Sequence, residues 1–146
     1  MTRQKLVPIN EQTSALMSRV KQRRTKPEET VASALRMLSV RYRRNVRSLP
    51  GSPDFSNRSK GWAIQVHGCF WHNHDCKRGT VPVHNAEFWI EKLEANRVRD
   101  QRTNEALSAS GMNVLTIWEC ETKDPVVLAG RMEAFIRNTE QEFGAR

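Results

Sequence analysis

The sequence predicts an α/β protein, a small mixed central sheet flanked by helices. Two observations predict it. Apolar residues recur at helical spacing in separated segments, and short runs rich in β-branched and aromatic residues fall between them. The resulting order is α, β, β, β, α, β, α, with no internal repeat and no low-complexity tract, which suits one sheet with helices packed on it. At 146 residues the chain is sized for one domain with one modest core. Residues 1–11 read as a mobile arm, 12–140 as the domain and 141–146 as a tail.

The elements follow in order. A short helix is expected over Thr13–Lys21, followed by the densely cationic KQRRTK. TKPEE is a helix start: Thr25 caps, Pro27 is tolerated in the first turn, and Glu28 completes a T-x-x-E capping box. Val31, Ala34, Leu35 and Leu38 then supply one buried face. VRYRRNV (40–46) reads as a strand, LPGS (49–52) as a turn, PDFSN (53–57) as a short strand and WAIQVHG (62–68) as the strongest strand. After a loop over 77–84, Asn85 is placed to cap a long helix that runs to Ser110 and is closed by Gly111. Phe88 is expected in its core. NVLTIWE (113–119) is expected as a buried strand. Asp124-Pro125 opens a last helix with Val127, Met132, Phe135 and Ile136 inward.

Charge points to the partner. Lys and Arg number 24 against 16 Asp and Glu, a formal net charge of +8. Such a surface calls for a polyanion, nucleic acid first and an acidic membrane second. No 18-residue apolar run exists and the first ten residues lack a signal-peptide core, so a cytoplasmic protein is expected.

The segment VHGCFWHNHDC, residues 66–76, concentrates the reactive side chains. Cys69, His74 and Cys76 have the spacing C-x4-H-x-C, and Cys120 lies at the end of the last strand. Read blandly, these are small buried hydrophobes and surface histidines. Against that, one four-ligand site accounts for every cysteine in the chain, and an odd cysteine count suits a metal better than disulfides. Three local ligands and one distant ligand are a common structural zinc set. Four protein ligands close the coordination sphere, so this zinc would staple the fold and not activate water.

His67 and His72 remain as acid–base candidates, dependent on an acidic neighbour. Asp54 is that neighbour if its strand lies antiparallel to residues 62–67. PD at 53–54 with QVH at 65–67 also resembles the PD-(D/E)xK nuclease core.

Together KPEE, LPGSPDF, VHGCFWHNHDC, EFWIEKLEANRVRD and VLTIWEC resemble, in order and spacing across residues 17–120, the motifs of the very-short-patch-repair (Vsr) DNA mismatch endonucleases. The resemblance implies a restriction-endonuclease-like fold and a nick placed beside a T·G mismatch left by deamination of 5-methylcytosine. By position it implies Asp54 as a ligand of catalytic Mg2+ and the backbone carbonyl of Val66 as a second. His72 would activate water, His67 would meet the scissile phosphate, and Glu28 would stand near the active site. Cys69, His74, Cys76 and Cys120 match the family's zinc ligands. Phe70, Trp71 and Trp89 match residues that wedge into the base stack, and Met17 matches one that supports the wedge from the opposite groove. Lys92 and Asn96, on one stripe of the helix with Trp89, match residues that read the mismatched pair. Gln65 stands at the place of the wider fold's acidic residue, as a further candidate metal contact.

The implied partners are double-stranded DNA and mismatch-repair proteins, with no membrane and a monomeric chain. Two alternatives share the motifs: a nuclease of this type cutting modified, foreign or unmismatched DNA, and a zinc-stapled DNA-binding module without activity.

Overall fold

The structure, a computed structural model, describes residues 24–71, 74, 76 and 81–144. The helix expected at Thr13–Lys21, Met17 and His72 lie outside the described residues. Among the described residues, three helices and four strands follow the expected order. They are α1 (Lys26–Met37), β1 (Arg43–Arg44), β2 (Phe55–Asn57), β3 (Trp62–His67), α2 (Ala86–Ala109), β4 (Asn113–Trp118) and α3 (Pro125–Gly144), with a 3₁₀ turn at Glu119–Lys123 between the last two.

The strands form one sheet in the order β1-β2-β3-β4. β1 with β2 and β2 with β3 are antiparallel, and β3 with β4 is parallel. A parallel pair needs a long crossover, and α2 supplies it. Alternation along β3 then divides the interior. Trp62 and Ile64 join Phe55 and Ile117 under α1 and α3, against Val31, Leu35, Leu128, Met132 and Ile136. Ala63 faces the other way, toward Leu107 of α2, Leu49 and Met112. Helices therefore cover both faces.

The helix ends show why each helix starts and stops. Thr25 Oγ1 accepts from Glu28 N at 3.4 Å, while the Glu28 carboxylate reaches Arg24 N at 2.8 Å, so the reciprocal half of the capping box lands one residue early. α2 ends in a Schellman motif. Gly111 takes φ +85°, its N–H donates to Ser108 O, Met112 N donates to Leu107 O, and the two apolar side chains share a core cluster.

Several expectations are corrected. Asn85 precedes α2 but is left-handed, at φ 58°, and makes no side-chain cap. The strand expected over 40–46 shrinks to two residues, because Asn45 at φ 52° turns the chain out of the extended region. β4 is an edge strand in which only Ile117 is fully buried. In α3 the inward face begins at Leu128, and Val127 is 65% exposed. The true face, 128, 132, 136 and 139, is offset by one residue from the expected start.

Candidate active site and metal centre

The sheet topology brings the candidate residues to one end. β3 and β4 run parallel with His67 opposite Trp118, so the segments leaving both strands start side by side. Two residues past each strand end stand Cys69 and Cys120. Because β2 runs antiparallel to β3, Asp54, just before β2, reaches the same end.

The metal-ligating atoms of Cys69, His74, Cys76 and Cys120 all lie within 4.8 Å of one another. Cys120 N donates to Cys69 Sγ at 3.4 Å, and Cys120 Sγ is 3.6 Å from His74 Nδ1. Two short backbone bonds fold the local segment into this shape: His74 N to Cys69 O at 2.9 Å and Cys76 N to His74 O at 2.8 Å. Burial pushes the Cys69 thiol up to about 12, and the neighbouring Cys120 and Cys76 thiols add to it, partly offset by the Cys120 N–H. A thiolate there needs a cation. This cluster can hold a metal ion.

Asp54 and β3 meet as expected. The Asp54 carboxylate accepts from Val66 N at 2.7 Å, which fixes it beside the residue whose carbonyl is the second candidate ligand. Gln65 is buried and shares its side of β3 with Ala63 and His67. The LPGSPD turn is pressed on α2 at Gly51, where φ is +70° and a Cβ would lie 2.2 Å from Thr103 Cγ2. Only glycine fits that contact, and it places the turn that carries Asp54.

His67 is 7% exposed. Its Nδ1 is 4.0 Å from Asp100 Oδ2 on α2, longer than a hydrogen bond but well within charge interaction. Trp118 ties this histidine to the metal cluster. It meets the His67 ring edge-on at 5.3 Å and stacks on the His74 ring at 4.2 Å, 13° from parallel. Sequence reasoning missed both Asp100 and Trp118. Asp100 lies one turn beyond Asn96, so extending the Trp89–Lys92–Asn96 stripe would have found it. Glu28 is buried, its carboxylate engaged by Arg24 N at the start of α1.

The aromatics form one cluster. Phe70 meets Trp71 and Trp89, each at 5.1 Å, and Trp71 meets Trp89 at 5.7 Å. Trp71 is half-buried, whereas Trp89 is only 6% exposed. Phe88, expected in the core, is instead partly exposed, with Lys92 Nζ 6.0 Å from its ring and 6.0 Å from that of Trp71. Asn96 Nδ2 donates to Trp71 O at 2.8 Å. Asn96 thus bonds the backbone of the expected wedge, and Lys92 stands within cation–π range of its ring.

A carboxylate and an acid-paired histidine at the end of a mixed sheet, on a strongly cationic protein, are the equipment of an enzyme that cuts nucleic acid. Comparison with known proteins makes the class particular. The family model described as DNA mismatch endonuclease Vsr matches residues 7–78. The chain is 42% identical over 123 residues to the type II nicking enzyme V.XorIIP of Xanthomonas oryzae pv. oryzae, covering 84% of this chain and 88% of that protein. It is 34% identical over 124 residues to the type II nicking enzyme V.NmeAIP of Neisseria meningitidis, covering 85% and 89%. It is 40% identical over 104 residues to the DNA mismatch endonuclease Vsr of Escherichia coli, covering 71% and 67%. The chain belongs to the Vsr family and is a DNA endonuclease.

Proposed function

We propose that the protein is a Mg2+-dependent, strand-specific nickase acting beside T·G mismatches in very short patch repair, on a restriction-endonuclease-like fold stapled by zinc. The observation that carries this reading is the convergence of Asp54, Val66 and the His67–Asp100 pair at one end of β3. Similarity to an enzyme named for mismatch cleavage supports the substrate, and similarity to nicking enzymes supports the single-strand cut.

The residues present fit both metals. Soft thiolates and imidazole suit zinc, whose bonds of about 2.0–2.3 Å in a tetrahedron separate ligand atoms by about 3.5–4 Å, so a modest contraction of the cluster closes it. Asp54 and the Val66 carbonyl offer the hard oxygens that Mg2+ prefers, with Gln65 close by. Bound there, Mg2+ would spread the charge of the phosphate and acidify its water.

The chain's own groups do the rest. Val66 N–H orients the Asp54 carboxylate. The Asp100 carboxylate lies beside His67 Nδ1 and orients the ring to meet developing charge on the scissile phosphate. Such contacts commonly tighten only when substrate is bound. His72 as the base and Glu28 as an acidic support are assigned by the family resemblance. Trp71 is the proposed wedge, with Phe70 beside it, and Asn96 and Lys92 both brace it and read the pair. Trp89, buried, supports the cluster from below the surface, while Met17 keeps its place from the resemblance. A wedge is cheapest to insert where a mispair has already weakened the stack.

The test is nicking of end-labelled matched and T·G duplexes in several sequence contexts, with Mg2+ and with EDTA. One strand cut only beside T·G and only with Mg2+ is the expected result. Equal cutting of matched duplexes would move the reading to a nuclease for other DNA.

A further inference from the structure

We propose that the β1 edge of the sheet, the outer edge among the described residues, is a second DNA-contact surface, which holds the phosphate backbone of duplex flanking the cleavage site. The proposal rests on the reading of the protein as a DNA nickase, and it assigns a role to the polar SNRSKG segment, residues 56–61. Beside β1 lies a groove of about 770 Å³, open to solvent and lined by Arg41, Arg43 and Arg58 together with Ser56, Asn57 and Ser59. Among the described residues, none that lines it is acidic. Arg47 and Lys60 are exposed next to it in sequence.

The pairing of charges separates this surface from ordinary solvated cations. Arg44, the other arginine of β1, is spoken for. It bonds Glu29 at 2.9 Å and lies 5.1 Å from the Phe55 ring centre. Arg131 and Arg137 likewise pair with Glu121 and Glu133. Arg41, Arg43 and Arg58 have no acidic partner among the described residues. Concentrated unpaired positive charge opposes folding by self-repulsion and is relieved by a bound polyanion.

The cations are also held in place. Arg43 is paired to Ser56 in the sheet, and Asn57 Nδ2 donates to Arg41 O at 3.0 Å. In the β2–β3 turn, Asn57 Oδ1 accepts from Ser59 Oγ at 2.9 Å and from Lys60 N at 3.1 Å. This Asx-type turn presents Arg58 and Lys60 on a fixed scaffold. Arg41 and Arg43 are two residues apart in sequence, at most about 7 Å between Cα atoms. Hydroxyl and amide donors lie between the cations, which suits phosphate oxygens.

The position fits flanking duplex. Asp54 and Arg58 bracket β2 from opposite ends, about 13 Å apart along the strand. One turn of duplex spans about 34 Å, so DNA seated at the catalytic end has flanking phosphates within reach of this edge.

The experiment compares wild type with the combined variant Arg41→Gln, Arg43→Gln, Arg58→Gln. Binding is titrated over a range of salt on two mismatched duplexes, one just covering the cleft and one longer by a helical turn on each side. On the longer duplex the variant should bind at least about tenfold more weakly at low salt. The slope of log affinity against log salt should flatten by about 2–3, near 0.9 per lost phosphate contact. On the short duplex the two proteins should bind alike and nick alike. An unchanged slope on the longer duplex, or equal losses on both lengths, overturns the proposal. If wild type nicks no duplex, the nickase reading fails while the salt slopes still decide the role of the groove.

Discussion

His67 Nδ1 and Asp100 Oδ2 stand 4.0 Å apart between β3 and α2, a pairing made only by the tertiary fold. If Asp100 works through His67, removing either should slow nicking and leave mismatch binding nearly unchanged. His67→Ala should cost about 10²–10⁴-fold in single-turnover rate, the usual worth of a positioned acid–base group. Asp100→Asn should cost less and add little in the His67→Ala background, because residues acting as a unit are not additive. Full additivity in that double-mutant cycle would separate the two.

The metal cluster makes a prediction with a sign. In metal-free folded protein the Cys69 thiol is held up to about 12 by burial, above its ordinary value of 9.0. The unfolded chain therefore loses this proton first, and the stability it contributes, full below about pH 9, is lost as pH rises toward 12. With zinc bound the thiolate is the native form, and this alkaline loss should disappear. Melting curves of metal-free and zinc-loaded protein between pH 8 and pH 11 check it. About one zinc per chain is expected, and Cys120→Ala should lose metal and solubility together. An unchanged melting temperature on removing zinc would contradict the site.

The aromatic cluster divides into two behaviours. Half-buried Trp71 should act on recognition: Trp71→Ala should weaken mismatched binding more than matched binding, by about 1–3 kcal/mol, with folding intact. Trp89, at 6% exposed, should act on stability. Trp89→Ala should cost about 3–5 kcal/mol and hurt both substrates alike. Paired titrations and thermal melting distinguish them.

The turn that carries Asp54 depends on a missing side chain. Gly51→Ala would drive a Cβ to 2.2 Å from Thr103 Cγ2 at φ +70° and should destabilise by about 1–3 kcal/mol. Thr103→Ala in the same protein should recover part of that loss, since it removes the clashing methyl but not the left-handed strain. No recovery in denaturant unfolding would show that backbone strain alone is responsible.

Local pattern made much of this legible. The T-x-x-E start of α1, Gly111 after α2 and the apolar run of β3 all specify their own conformations, and the structure has each. The gathering of Cys69, His74, Cys76 and Cys120 into one group that could hold a metal ion was also readable, because cysteine and histidine spacing reports coordination chemistry directly. What failed was phase and exposure. Phe88 and Trp89 are adjacent aromatics, and Phe70 and Trp71 pack on Trp89, which is the buried one. Val127 and Leu128 differ in the same way, decided by where α3 meets the sheet. Asp100 and Trp118 lie within quoted motifs, but nothing in their spacing pointed to a role for either. Their roles exist only because β3 and β4 pair in parallel and α2 returns across them.

The central claim is that the Asp54 carboxylate, held at 2.7 Å by Val66 N–H, is where the chemistry is assembled. The most direct measurement is single-turnover nicking of a T·G duplex in Mg2+ by wild type and Asp54→Ala, with duplex binding titrated for both. Affinity rests mainly on phosphate contacts by the many cations, so binding should stay within a few-fold while nicking disappears. Nicking by Asp54→Ala near the wild-type rate would contradict the account.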